Sequence, residues 1–553
     1  MNLTPFLLRS FRTAIVLPVI AGLVAGAGSA TLIALINVRL GSGDAAWPWL
    51  AAGFAGLAVI VLASNYLTQV LLLRLSQGAA FDLSMRLSER VLAAPLRHQE
   101  QLGAHRIMTA LTEDVPAVVG ALLSVPALCI NLATLAVLLV YLGWLSQTVL
   151  AVMLVFMAVG IGARQLLVKG GLASLRRARE ESNALMSHYR ALTEGAKELK
   201  LHGARRQVFF RDMLKAAAQA QRQHAVAGWT VYAAAESGTR FLYYIFLGVV
   251  LFMLPQWQAV SLHTLTGYAL VVLYLIGPLA GILTALPALG RARIALRQID
   301  ELKLALEAAA ADSDGELTRP VPGADWGRLE LAAVTHSYRT ETEDHNFTLG
   351  PLDLEFVPGE VVFLVGGNGS GKTTLAKLLV GLYAPESGEV RLDGEVITDE
   401  TRESYRQHFS AVFSDFYLFE RLLGGVGPDL DAKAREYLAK LQLSHKVQVR
   451  DGALSTTELS FGQRKRLALL NAYLEDRPFY VFDEWAAGQD PVFKEVFYTQ
   501  LLPELKREGK TVVVITHDES YFHLADRRLR LDYGSLVDSV GARIVAGGVY
   551  QPS

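Results

Sequence analysis

Three stretches of this chain run so long without a formal charge that water is a poor solvent for them. No Asp, Glu, Lys or Arg lies between Asp114 and Arg164 or between Arg240 and Arg291. Only Arg39 and Asp44 interrupt the run from Arg12 to Arg74. A helix crossing the hydrocarbon core needs roughly 20 predominantly apolar residues, so each stretch holds two. Each also breaks near its middle, at "NVRLGSGDAAWPW", "YLGWLSQ" and "LPQWQAVSLHT". No polar face recurs at a helical period, which argues against a soluble bundle. The pattern therefore predicts three helical hairpins, six membrane-spanning helices in all, in a lipid bilayer. Cationic residues set the orientation. They flank the first span (Arg9, Arg12), fill the segments after the second and fourth spans, and follow the sixth (Arg291, Arg293, Arg297), while the opposite loops are almost free of them. Basic residues stay on the cytoplasmic side, so both termini are expected there. The first span is too long for the apolar core of a signal peptide and reads as a membrane helix.

The charged fraction, 19%, is below the usual quarter or so, and the deficit is confined to these stretches. A net charge of -1 gives no reason to expect a nucleic-acid partner. The single cysteine, Cys129, cannot form an intrachain disulfide, and no Cys/His cluster suggests a metal site.

The cytoplasmic segments, roughly 75–114 and 165–238, have helix-forming composition with i,i+4 charge pairs and are expected to extend the membrane helices. The membrane domain is drawn at 1–305. A small, acidic, Pro/Gly-bearing linker follows at 306–327, and a second domain occupies 328–553. In that second domain "EVVFLVGG", "YVFDE" and "TVVVITH" are β-branched runs typical of buried parallel strands.

Within the second domain, "GGNGSGKTTL" follows such a strand and opens a helix. It fits the phosphate-loop pattern G-x-x-x-x-G-K-[ST] in the required context. Gly366, Gly367, Asn368, Gly369, Ser370 and Gly371 let backbone N–H groups close around phosphates, helped by the helix N-terminus. Lys372 is placed to reach the β- and γ-phosphates, Thr374 lies in the same run, and the Thr373 hydroxyl is a candidate Mg²⁺ ligand. Downstream, "FYVFDEW" ends a buried strand in two adjacent carboxylates. Two such groups without a cation would be costly, and a Mg²⁺–ATP site supplies one. Asp483 is the candidate metal ligand and Glu484 the candidate general base or water-orienting group.

"LSFGQRKRLALL" between these motifs resembles the ABC-transporter signature. The resemblance extends to Tyr338 in "VTHSYR" as the adenine-stacking aromatic, to Asp490 in "GQDP" as the D-loop aspartate, and to His517 in "VVVITHD" as the switch histidine at the γ-phosphate. The six-span half resembles the exporter type, with "APLRHQEQLGAHRIMTALTEDV" and "LTEGAKELKLHGARRQVF" as its intracellular loops. The implied fold is a six-span exporter-type (type I) transmembrane domain fused to an α/β P-loop ABC ATPase. The family geometry implies a homodimer in which Ser460, Gly462 and Gln463 of one copy cap the ATP held by Lys372 of the other. Ser460 read alone is equally a helix cap.

Three positions depart from the family pattern. Ser414 in "AVFSDFYLF" stands where a glutamine usually contacts Mg²⁺, and its hydroxyl is expected to keep the metal. Phe461 and Trp485 replace smaller residues and are expected to repack the dimer seam. The segment from Asp415 to Glu458 is short for a helical subdomain.

These details together resemble the bacterial exporters of cyclic peptides and siderophore precursors. That implies a peptide or siderophore-precursor cargo, a place in the inner membrane, and room for a periplasmic or outer-membrane partner. A lipid or lipid-conjugate flippase would carry the same nucleotide motifs, and a cargo-free ATP-dependent regulator in the membrane is the alternative of another class. Asn37, Asn65, Tyr66, Gln69, Asn131, Tyr243, Tyr244, Tyr268 and Tyr274, in or near spans, either line a pathway or bond between helices. Gly22, Gly26 and Gly28 read as close helix packing, and Pro278 beside Gly277 as a kink in the sixth span.

Overall fold

A computed structural model describes residues 3–41, 47–257, 260–310, 326–338, 347–422 and 428–540. The chain forms two compact units, one of residues 1–86 and 108–301, the other of residues 87–107 and 302–553. Residues 311–325 of the expected linker, and the hairpin turns at 42–46 and 258–259, lie outside the described residues.

The first unit is helical. Its helices begin with α1 (Leu3–Gly41) and α2 (Trp47–Ala93), whose residues from 87 on belong, with the short α3 (Leu96–Leu102), to the second unit. After these come α4 (Ala104–Thr109), continued through a π-helical turn into α5 (Val115–Leu145), and α6 (Gln147–Glu194). The short α7 (Ala196–Leu201) and α8 (Gly203–Val208) lead through a second π-turn to α9 (Lys215–Gly248), α10 (Leu254–Trp257) and α11 (Leu262–Ala310). Among the described residues, six helical segments are long and apolar enough to cross a membrane: Val16–Leu40, Pro48–Ala93, Ala104–Leu145, Gln147–Glu194, Gly203–Trp257 and Leu262–Lys303. The 48 residues of α6 extend about 70 Å at 1.5 Å per residue, more than twice the hydrocarbon thickness of about 30 Å. The surplus continues the apolar span as a charged helix, with Arg176, Arg177, Arg179 and Glu180 in its second half. The second hairpin turns at Ser146 alone, whose extended backbone and side chain, accepting from the Val149 N–H at 3.3 Å, start α6.

Small residues let these helices approach. A Cβ on Gly26 would lie 2.8 Å from Ala133 Cβ and 3.1 Å from the Thr134 nitrogen, and Thr134 Oγ1 donates to the Gly26 carbonyl at 3.1 Å. Asn37 is buried and joins three elements. Its Nδ2 donates to Tyr141 Oη at 3.0 Å, its Oδ1 accepts from Thr266 Oγ1 at 3.3 Å, and its carbonyl meets His263 Nε2 at 2.9 Å. Asn131 packs onto Gly281, where any Cβ would strike its Nδ2. Asn37 thus takes the helix-bonding role, and Asn131 packs between helices. Tyr66 and Tyr244 are exposed, and Tyr243 is buried.

The second unit is α/β. Its outer sheet contains β1 (Leu329–Tyr338), β2 (Phe347–Phe356), β4 (Ser387–Leu392) and β5 (Glu395–Val396) in the antiparallel order β2-β1-β4-β5. The central sheet has the order β12-β11-β3-β10-β9-β6. Its strands are β3 (Val361–Gly366), β6 (Phe409–Val412), β9 (Phe479–Asp483), β10 (Thr511–Ile515), β11 (Arg527–Asp532) and β12 (Ser535–Val540), and all neighbours run parallel except the edge pair β11–β12. A two-strand ribbon of β7 (Val449–Arg450) and β8 (Ala453–Leu454), with helices α12 (Lys372–Leu379), α13 (Asp399–Arg406), α14 (Pro428–Lys440), α15 (Phe461–Glu475), α16 (Pro491–Val496) and α17 (Leu502–Arg507), completes it.

Alternation along the central strands divides the core. Phe363, Tyr480, Phe482, Val512 and Val514 face one cluster with Leu438, Leu469, Phe497 and Leu505. Val362, Leu364, Phe479, Val481, Val513 and Ile515 face the other, with Leu331, Leu354, Leu375 and Leu379. Both faces are covered, so the runs Val361–Val365, Phe479–Phe482 and Val512–Ile515 carry hydrophobic residues at every position, and each buried Val, Leu or Phe contributes about 1.5–3 kcal/mol.

The Gly26 contact makes a prediction. Gly26→Leu should lower the melting temperature of the purified protein, in line with an overpacking cost of about 1–3 kcal/mol. Gly56→Leu, at a position where a Cβ meets nothing within 4 Å, should not. Equal melting of the two variants would show that the α1–α5 approach is not tight.

Candidate functional site

The parallel ladder brings the separated motifs together. Ile515 on β10 is paired with Leu364 on one side and Asp483 on the other, and Val412 on β6 is paired with Phe482. Four strands therefore end at one level, and the loops leaving them converge beyond their carboxyl ends, where open α/β sheets bind ligands.

Two glycines of the loop after β3 combine a positive φ with a close approach. Gly366 has φ 152°, and a Cβ there would strike the Leu531 carbonyl. Gly371 has φ 99°, and its Cβ would lie 2.9 Å from Leu349 Cδ1. Lys372 opens α12 and is buried, its ammonium donating to the Gly366 and Gly367 carbonyls at 3.0 and 2.8 Å. Burial lowers its pKa, opposed by the nearby Glu484 and Asp483 carboxylates. Ser370 Oγ is buried without a hydrogen-bond partner among the described residues, and Thr374 is buried in the first turn of α12.

Asp483, at the end of β9, is 1% exposed. Its Oδ2 accepts from Thr373 Oγ1 at 3.0 Å and from Ser414 Oγ at 3.3 Å. Its Oδ1 is buried with no partner among the described residues. Burial raises its pKa, the Glu484 charge adds to this, and the hydrogen bonds from Thr373 and Ser414 oppose it. Three oxygen side chains from β9, α12 and the loop after β6 thus meet around one under-satisfied carboxylate. This oxygen-only set suits a hard divalent cation such as Mg²⁺.

Glu484 follows in the left-handed region, φ 47°, a conformation that costs a non-glycine residue about 1–3 kcal/mol. Its N–H donates to the Ile515 carbonyl at 3.1 Å, and its Oε1 lies 3.4 Å from His517 Nε2, both side chains being partly exposed. Glu484 and His517, 33 positions apart by their numbering in the chain, are therefore adjacent at the mouth of the site.

Ser460, Gly462 and Gln463 lie at the start of α15 and bond elsewhere. Ser460 is the helix cap and shares a capping box with Gln463: Oγ accepts from the Gln463 N–H at 3.4 Å, and Gln463 Oε1 accepts from the Ser460 N–H at 3.3 Å. The Gly462 carbonyl accepts from Gln489 Nε2 at 3.0 Å. Asp490 caps α16, accepting from the Phe493 N–H at 2.9 Å, and pairs with Arg466. The Phe493 N–H bond leads in holding its carboxyl below the usual range, with Arg466 adding to it. Tyr338 is the last residue of β1, in register with Phe347.

Two expectations about large side chains separate. Phe461 is half exposed and stays available to a seam. Trp485 is not at a surface. It is 1% exposed and packed against Phe493 and Phe497, the latter ring at 4.5 Å, with Nε1 donating to the Lys465 carbonyl at 2.7 Å. Its indole fills the core because the left-handed turn at Glu484 sends the next side chain inward.

Sequence reasoning also missed a cluster within the second unit that ties α3 to the ATPase sheet. Arg97 Nη2 donates to Glu386 Oε1 at 2.8 Å and to the Ser337 carbonyl at 3.1 Å, beside Tyr338. Lys377, on α12, donates to Glu100 Oε1 at 2.8 Å, and Tyr383 Oη also donates to Glu100. His336 stacks on Tyr383 at 4.9 Å. Although desolvation opposes it, Glu386 is held below its ordinary pKa by Arg97 and Ser337. Charged residues about 240 to 290 positions apart carry no local signal of pairing, so only the fold reveals them.

Comparison with known proteins accords with this architecture. Residues 11–279 match the family described as ABC transporter transmembrane region, and residues 349–487 match ABC transporter. The chain is 37% identical to the ATP-binding protein SyrD of Pseudomonas syringae pv. syringae over 94% of its own length and 93% of that protein. It is 26% identical to an ATP-dependent lipid A-core flippase of Paraburkholderia xenovorans (strain LB400), covering 92% of this chain and 86% of the relative. The structure of a bacterial Atm1-family ABC exporter with ATP bound superposes with a TM-score of 0.71 at 17% identity, covering 96% of this chain and 95% of that one. The chain belongs to the ABC transporter family, as an exporter-type half-transporter whose six-span membrane region is fused to its ABC ATPase domain.

Proposed function

We propose that this protein is an ATP-driven exporter of a cyclic peptide or siderophore precursor, working as a homodimer in a bacterial inner membrane with its ATPase domains in the cytoplasm. The carrying observation is the similarity to SyrD over 94% of the chain, joined to a candidate site whose separated motifs meet beyond the carboxyl ends of four strands. In this reading Tyr338 stacks on adenine and the loop Gly366–Gly371 wraps the phosphates through its N–H groups. Lys372 turns its ammonium from the loop carbonyls to the β- and γ-phosphates, and Thr374 supports the same turn. Thr373, Asp483 and Ser414 are the residues that would hold Mg²⁺, which when bound offsets phosphate charge. Glu484 accepts a hydrogen bond from the attacking water and orients it, and His517 donates to the γ-phosphate; the 3.4 Å approach of His517 Nε2 to Glu484 Oε1 supports the two acting together. Ser460, Gly462 and Gln463 of the second copy close over the nucleotide, with Asp490 at the seam. Closure favours one membrane conformation because ATP binds the closed pair better than the open one, and hydrolysis resets it.

The lipid flippase reading has its own support in the flippase relatives, at lower identity. The two differ in what stimulates the ATPase. In vesicles of fixed lipid composition, a cyclic peptide or acylated siderophore precursor at micromolar concentration should raise turnover. Stimulation by lipid A-type lipid, with no response to peptide, would replace the proposal with the flippase.

Three substitutions test the site. Glu484→Gln should retain ATP binding and lose turnover by about 10²-fold or more, and wild-type turnover in that variant removes Glu484 from hydrolysis. Lys372→Ala should lose binding and turnover together. Ser414→Ala should move the Mg²⁺ dependence of turnover to several-fold higher concentration, because Asp483 then keeps Thr373 alone beside it. An unshifted Mg²⁺ titration would show that the Ser414 hydroxyl is not a metal contact.

A further inference from the structure

Three consecutive cations, Arg464, Lys465 and Arg466, follow the signature residues on α15. Arg464 is exposed, whereas Lys465 is 3% exposed and points into the domain. Its ammonium donates to the Glu484 carbonyl at 2.7 Å and to the Ala487 carbonyl at 2.8 Å. The residue between the strand end and this grip is the one in the left-handed conformation, Glu484 itself. From the other side, Trp485 Nε1 donates to the Lys465 carbonyl at 2.7 Å, and that indole is locked against Phe493 and Phe497. Three hydrogen bonds therefore join the loop after β9 to a single residue of α15.

A buried ammonium is an expensive way to satisfy two carbonyls. Burial lowers the pKa of Lys465, and the Glu484 and Asp483 carboxylates oppose that shift. A neutral donor would satisfy the same carbonyls without this cost, but it would supply neither the reach nor the positive charge beside the two carboxylates.

We propose that Lys465 is the positioning residue of Glu484: its grip on the Glu484 and Ala487 carbonyls holds the strained turn and fixes the direction in which the Glu484 carboxylate leaves it. The aim of that carboxylate is then set from α15 as well as from β9. The same helix begins at Ser460, so a displacement of the signature end reaches the hydrolytic carboxylate through one side chain. This inference rests on the reading of Glu484 as the residue that orients the attacking water.

The test uses the full-length protein in lipid vesicles. Lys465→Met keeps the length and removes the donor. It should lower kcat for ATP about tenfold or more, the scale expected of a small misplacement of a catalytic group, with KM for ATP within about twofold of wild type. Lys465→Gln, which keeps an N–H donor on a shorter stem, should fall between the two. In a Glu484→Gln background, single-turnover hydrolysis should show no further loss from either substitution, because residues acting as a unit are not additive. Wild-type kcat in Lys465→Met overturns the proposal, as does the same fold-loss with and without the Glu484 carboxylate, or a loss confined to KM. Should Lys465→Met not fold, Lys465→Gln carries the test through its few-fold loss of kcat and the disappearance of that loss in the Glu484→Gln background. Wild-type turnover in Glu484→Gln alone would instead sink the reading of Glu484, whatever Lys465 does.

Discussion

The alignment of four parallel strands is the constraint on which the ATPase half depends. Thr373, Ser414 and Asp483 come from three places in the sequence, and they meet because β3, β10, β9 and β6 end at the same level. A slip of one residue would exchange the two faces of a strand and turn Asp483 away from Thr373. That register is held by the different side chains each face packs, Phe363, Tyr480 and Phe482 into one cluster and Val362, Phe479 and Val481 into the other. The energy of the core thus secures the geometry of a polar site at its edge, where an isolated buried carboxylate would otherwise be unfavourable.

The membrane half inverts this arrangement. Its outward surface is apolar, with Val59, Leu62, Val140 and Leu166 exposed, while Asn37, Thr68 and Thr134 are buried. Lipid gives apolar side chains little reason to leave the surface. Association then relies on close approach and on hydrogen bonds between helices, as at Gly26 with Thr134 and at Asn37 with Tyr141 and Thr266. The two halves therefore respond differently to the same change. A methyl group added on the α1 contact face is a steric fault, whereas one removed from the sheet core is a cavity.

Much of this was legible in the sequence, for identifiable reasons. Charge-free length announced the spans, and glycine spacing with a following lysine announced the phosphate loop. The pair Asp483 and Glu484 was legible because buried carboxylates demand a cation. Trp485 was misplaced because its direction depends on the left-handed turn before it, and a single backbone angle at a non-glycine residue leaves no mark in composition. Lys465 escaped notice in a basic run that reads as a solvated helix face. The partnership of α3 with Glu386, Lys377 and Tyr383 needed the fold, since no local pattern links residues so distant in the chain.

The turn at Ser146 has a mechanical consequence. One extended residue connects α5 to α6, so the pair shares a joint with almost no slack. A helix of 48 residues pivoting there is a long lever. A tilt of about 10° at the joint would carry the far end of α6 through about 12 Å at 1.5 Å rise per residue. Small rotations at this joint would therefore arrive magnified at α7.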